Sequence, residues 1–206
     1  MGFIEKFILP KQVDFDRALQ AQADAARDIV SDMQQTYVNQ DEQARMRLAL
    51  DAGKTRELKN KNMVELLDVF ITSYDKESIY RIIVQLDWIG LSVNHFCTEA
   101  DAYGIESLAE YALIFSTLRE MSEMLSRGVQ LLSRHKLHTI SREISDIHDQ
   151  YDVMVGLCAQ AMAELFKGDD CKHIIMYRGL LWQLKEVGKR IHIAANTLED
   201  MAIKRV

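Results

Sequence analysis

Six histidines and three cysteines are the side chains of this 206-residue chain with reactive chemistry near neutral pH. His148 and Asp152 stand four apart, which puts both on one face of a helix. An imidazole and a carboxylate at that spacing can ligate a metal, although two ligands rarely make a stable site. The simpler reading is a hydrogen-bonded pair on a helix face. His95 and Glu99 repeat the spacing and read more simply as a surface pair. Asp170 and His173 fall where a helix should begin, and Asp170 reads as its N-cap or first-turn acid. His135 and His138, with Arg134 and Lys136 beside them, read as cationic groups near a helix C-terminus. Lys185, Lys189 and His192 share one stripe with Asn196 and Glu199. A ferritin-like di-metal oxidase needs Glu-x-x-His on two helices, and the sequence has none. Nor does it contain Gly-x-Ser-x-Gly, Gly-x-Gly-x-x-Gly, a P-loop or Cys-x-x-Cys. Cys97, Cys158 and Cys171 are an odd number at unrelated spacings, which suits packing roles in a reduced intracellular compartment.

The elements that must position these residues are helices. Hydrophobic residues make up 48% and charged residues 27%, a globular composition, with one Pro and nine Gly in the chain. Sheets need turn residues far more often than that. Apolar residues recur at steps of three and four in six stretches. The first, about Asp14 to Gln40, carries Phe15, Leu19, Ala23, Ala26, Ile29, Met33 and Tyr37. The second, about Asp41 to Val69, is polar in its middle and apolar at its end, through Met63, Leu66, Leu67 and Phe70. The third carries Ile79, Ile82, Ile83, Leu86, Ile89, Val93 and Phe96, with Asp75 as N-cap accepting from the Ser78 N–H. The fourth runs from about Glu106 to Arg134. The fifth carries Ile140, Ile144, Ile147, Tyr151, Met154, Cys158 and Leu165. The sixth follows Gly168-Asp169-Asp170 and carries Leu181, Leu184, Val187, Ile191, Leu198 and Met201. Short loops predict antiparallel neighbours in an elongated bundle. Residues 1–206 are expected to form a single helical domain, with approximate repeats 12–103 and 105–203. No apolar run is long enough to span a membrane, and the opening MGFIEKFILPKQ has no cleavage-site pattern.

A net charge of −6 and a pI near 5.5 argue against a dedicated nucleic-acid binder. The basic run Arg45, Arg47, Lys54, Arg56, Lys59 and Lys61 could dock an acidic surface. The acids of the first helix, Asp14, Asp16, Asp24, Asp28 and Asp32, are a simpler partner for it. Met121 and Met124 read as core filling, with an adaptable partner groove as the alternative. The patch Phe3, Ile4, Phe7, Ile8 and Leu9 reads as docking onto the bundle or an oligomer partner, or as a short membrane-surface segment.

The segment Phe70-Ile71-Thr72-Ser73-Tyr74-Asp75-Lys76-Glu77-Ser78-Ile79 resembles a signature of the PhoU-like family of phosphate-transport accessory proteins. Leu86-Asp87-Trp88-Ile89 is similar to that family's leucine-aspartate-aspartate core. The stretch from Leu184 through Asn196 to Leu198-Glu199 is similar to its closing helix. Ser73 stands where the family usually has proline. The resemblance implies six long antiparallel helices arranged as two tandem three-helix bundles. It also implies a non-enzymatic protein that regulates inorganic phosphate transport by binding a membrane transporter. Cysteine usage, the N-terminal apolar patch and the long apolar helix faces add the expectations of a cytoplasmic location, peripheral membrane association and a homo-oligomer.

Many PhoU-like proteins hold metal ions with acid-x-x-x-acid pairs, whose oxygens suit hard cations. Set on those positions, this chain keeps Asp87 but has Leu91 as its partner, and has Ala52 and Arg56, His148 and Asp152, and Lys185 and Lys189 at the others. The weak metal candidates are therefore His148, Asp152 and Asp87. Lys185, Lys189, His192 and Arg56 are ion-pair or anion-binding candidates, because a protonated Lys or Arg cannot ligate a metal. If the bundle closes as in the family, Asp87, Asp152, Arg56, Lys185 and Lys189 are expected to approach one another. A bundle whose bound metal or anion is itself functional is the competing reading.

Overall fold

The computed structural model describes residues 13–134 and 136–204. Among the described residues six helices follow one another: α1 Phe15–Tyr37, α2 Glu42–Asp68, α3 Lys76–Tyr103, α4 Ala112–Leu132, α5 Leu137–Leu165 and α6 Cys171–Ile203. Among the described residues there is no strand. The first ten residues, with their apolar patch, and His135 lie outside the described residues.

Four helix starts are fixed by aspartates whose carboxylates accept from otherwise unpaired first-turn N–H groups, and Asp14 caps α1 through the Arg17 amide at 3.0 Å. Asp41 caps α2 through the Gln43 and Ala44 amides, Asp75 caps α3 through Ser78 at 3.0 Å, and Asp170 caps α6 through Lys172 and His173. Gly104 ends α3 with φ +70°, a left-handed conformation that glycine adopts without strain. The fourth helix begins later than its apolar spacing predicts. Leu108 is fully buried, and its N–H donates to the Tyr37 carbonyl at 2.7 Å, so residues from Glu106 are tied to the end of α1. A 3₁₀ turn, Ala109–Tyr111, then leads into α4. His138 falls in the first turn of α5, not near a helix C-terminus, and is exposed.

Helices α1, α2 and α3 pack on one another, as do α4, α5 and α6. The two units join through α1 on α4 and α3 on α6. Both junctions are antiparallel. Arg81 near the start of α3 pairs with Asp200 near the end of α6, while Glu99 near the end of α3 accepts from Gln183. Gln20 and Asp24 of α1 meet Ser126 of α4. The apolar stripes all turn into one core, where Phe96 makes edge-to-face contacts with Tyr37 and Phe115. Met121 is fully buried in that core, which leaves it no part in an open groove. The bundle is thus two tandem three-helix units, each closing the other's open side.

One polar chain crosses the apolar interior of the first unit. Asn62 of α2 donates to Gln22 of α1 at 2.8 Å, and Gln22 donates to the Ile83 carbonyl of α3 at 2.8 Å. Of the basic run on α2, Arg47 reaches the first helix: it forks onto the Asp32 carboxylate, at 2.7 Å for its closest nitrogen. Arg45 turns instead to Asp101 of α3, and Lys54 pairs with Asp51 of its own helix.

Candidate functional site

The residues of interest come from the second and third helix of each unit, whose facing sides form a shallow seam. In the first unit that seam is a groove of about 220 Å³ lined by Ala52, Gly53, Thr55, Arg56, Asp87, Gly90, Leu91 and Asn94. It stays open because the wall residues are small. A β-carbon on Gly90 would fall 2.7 Å from the Thr55 hydroxyl, so glycine there is what lets α3 approach α2. Asp87 stands half-buried in the groove. Burial pushes its carboxyl above the usual range, while the charges of Lys59 and Arg56 pull it back.

In the second unit the seam is filled with rings. His148 of α5 and His192 of α6 have ring centres 4.7 Å apart, and Tyr151 stacks on His192 at 4.6 Å, with only 16° between the planes. His148 Nε2 is 2.9 Å from the Asn196 side-chain oxygen, the geometry of an imidazole N–H donating to an amide carbonyl. Burial lowers the pKa of His192, the neighbouring His148 lowers it further, and Asp152 opposes both. Lys189 lies 3.8 Å from Glu186, which also holds Arg190. Arg190 in turn lies 4.5 Å over the Trp88 ring, which ties α6 to α3. Lys185 lies near the buried Cys158, whose thiol burial pushes up to about 11 against the pull of that ammonium.

The expected meeting of Asp87, Asp152, Arg56, Lys185 and Lys189 does not occur as one cluster. Asp87 feels Arg56 and Lys59 between α2 and α3, whereas Asp152, Lys185 and Lys189 belong to the α5–α6 seam of the other unit. Packing explains the division, since the units join through α1, α3, α4 and α6, which keeps α2 and α5 on opposite flanks. Among the described residues, no three His, Cys, Asp or Glu side chains are placed to hold a metal ion together. His148 is engaged by Asn196, and the other i, i+4 couple is divided too, with Glu99 accepting from Gln183. The stack of Tyr151 on His192 was not legible from spacing along one helix, because it depends on the register between two. The only hint was that His148 and Tyr151 are three apart, on the face that α6 covers.

No helix of the described residues is long and apolar enough to cross a membrane. No protein-family model matches the sequence, and comparison with curated proteins finds no significant match. Solved structures do match. One is a PhoU-like protein from Shewanella oneidensis MR-1, with a TM-score of 0.77 at 12% identity over 92% of this chain and 99% of that one. Another, from the same organism, is described as a PhoU-like phosphate regulatory protein, with a TM-score of 0.76 at 13% identity over 94% of this chain and 100% of that one. Helix order, helix count and the pairing of two three-helix units thus converge on one conclusion: this chain has the PhoU-like fold.

Proposed function

We propose that this chain is a non-enzymatic regulator of inorganic phosphate transport that acts by binding a membrane transporter. The observation that carries the reading is a likeness, over nearly the whole chain, to a structure described as a PhoU-like phosphate regulatory protein. Two features of the surface support it. The end of α2 and the loop after it present Leu67, Phe70 and Ile71 to solvent, with Phe70 87% exposed. Large apolar side chains gathered at one exposed turn suit recognition of another polypeptide. Arg56, Lys185 and Lys189 stand where the resemblance implies metal-holding acids, and cations there favour an anionic partner surface over a bound cation. The protein would work in the cytoplasm, at the inner membrane face, as a homo-oligomer.

The test is capture from native membranes by the tagged, full-length chain, together with phosphate uptake in a deletion strain. A phosphate transporter in the eluate and altered uptake are expected. An eluate without any transporter, with unchanged uptake, refutes the reading. The second reading, a functional bound ion, has the His148–His192 ring pair as its support, with no third ligand placed beside it among the described residues. It requires near-stoichiometric manganese, zinc or iron that survives desalting.

A further inference from the structure

A second cavity, of about 300 Å³, continues the first unit's groove toward the far end of α3 and shares Ala52 and Asn94 with it. Its floor is apolar, formed by the buried side chains of Ile29, Leu48 and Val93. At its mouth are a cation and an anion, Arg45 and Asp101, 3.8 Å apart. That is looser than the separation of about 2.8 Å expected for a hydrogen-bonded ion pair. Arg45 is held in place from below, with its guanidinium 5.5 Å over the Tyr37 ring, and the Tyr37 hydroxyl donates to Asp101 at 3.4 Å. The cavity wall also contains Thr36, which is 1% exposed and whose hydroxyl has no hydrogen-bond partner. A buried hydroxyl without a partner is destabilising, and a polar ligand atom would relieve it.

The corresponding place in the second unit is occupied. Ala52 and Asn94 face each other across the first seam as His148 and His192 do across the second, where Tyr151 completes the filling. Small side chains have therefore opened the first seam, and the opening carries opposite charges at its rim.

We infer that this cavity binds a small zwitterion of the α-amino-acid type, with its carboxylate on Arg45, its ammonium on Asp101 and its apolar side chain on Ile29, Leu48 and Val93. The Thr36 hydroxyl gains the carboxylate as acceptor. A plain anion such as phosphate meets Asp101, and a plain amine meets Arg45, so each is disfavoured by the neighbouring like charge. Cys97 lines the cavity as a neutral thiol, since burial pushes it up to about 12. The site does not depend on the transporter-binding reading, and either can fail alone.

The test titrates the full chain with L-leucine and L-methionine, and with isovalerate, isoamylamine and inorganic phosphate as controls, by calorimetry and saturation-transfer NMR. Saturable binding of at least one amino acid is expected, with isovalerate and isoamylamine weaker by about tenfold or more and phosphate without effect. Arg45→Gln and Asp101→Asn should each weaken binding by about tenfold. Ala52→His, which copies the second unit, should abolish it. Thr36→Val should raise the melting temperature of the free protein while reducing the affinity. The proposal is overturned if neither amino acid saturates the protein, if isovalerate or phosphate binds as tightly as the amino acids, or if a natively folded Ala52→His variant still binds.

Discussion

Gln22 and Asn62 allow the physics of the first unit to be tested directly. Both are 1% exposed, and neither can turn to water. In Gln22→Leu the packing volume is nearly kept, but the 2.8 Å bond from Asn62 and the 2.8 Å bond to the Ile83 carbonyl are lost. At about 1 kcal/mol net per hydrogen bond, the cost is about 2 kcal/mol, moderated because Asn62 keeps a 3.3 Å contact with the Ala18 carbonyl. Asn62→Leu leaves the Gln22 oxygen buried without its donor, for about 1–3 kcal/mol. In the double Leu variant no buried amide remains, and the Ile83 carbonyl lies within its own helix. Replacing both partners with apolar groups of similar shape is then nearly neutral relative to either single change. Urea denaturation followed by circular dichroism reads all three variants. The double variant should be more stable than the sum of the singles predicts by about 1–2 kcal/mol, a difference of several degrees in melting temperature for a chain of this size. Additivity within about 0.5 kcal/mol would refute the claim that these two side chains act as one bridge.

Other outcomes follow from the same geometry. Gly53→Ala should stabilise the protein by about 0.5–1 kcal/mol, because its new methyl meets nothing within 4 Å and α2 gains helix propensity. Gly90→Ala should cost about 1–3 kcal/mol by driving a methyl into the Thr55 hydroxyl, with partial rescue by adding Thr55→Ala. His192 has a folded pKa below its unfolded value, so its contribution to stability is present above the unfolded pKa of about 6.5 and is lost as pH falls through the folded one. His192→Asn should flatten the dependence of melting temperature on pH below about 6.5, and an unchanged slope would rule out this origin. Asp87 has the opposite sign, with a folded pKa above its unfolded value, so Asp87→Asn should raise the melting temperature at pH 7 and lose that advantage near pH 3.

Most of the fold could be read from the sequence because it is set by local rules. Steps of three and four marked all six helices, and Asp75 and Asp170 marked two helix starts through side-chain chemistry confined to a single turn. The misjudged start of α4 shows where local rules end. Glu106 to Leu108 have helical spacing, but a single long-range bond from Leu108 to Tyr37 holds them out of the helix. Gln22 and Asn62 were missed for a related reason. A polar residue reads as a surface residue until its partner, 40 positions away, is known. The candidate site was legible as a list of residues and not as a grouping. Arg56, Asp87, Lys185 and Lys189 occupy helix faces that spacing can identify, but which faces share a seam is decided by which helices pair within each unit.

The two seams differ in the side chains that face into them. Each seam lies between the second and third helices of a unit, and the two are built on the same plan. In the second, His148, Tyr151 and His192 close the space with their own rings, and the imidazole hydrogen on His148 is spent on Asn196. In the first, Ala52, Thr55 and Asn94 are too small to do so, and the space runs past Asp87 to the loose Arg45–Asp101 pair. A chain selected for stability alone would gain by filling that space, since close packing adds dispersion contacts that a void lacks. The open seam therefore forgoes packing contacts, and Ala52→His separates that cost from ligand binding. If the variant is more stable than the parent and has lost amino-acid binding, the seam is held open for a ligand.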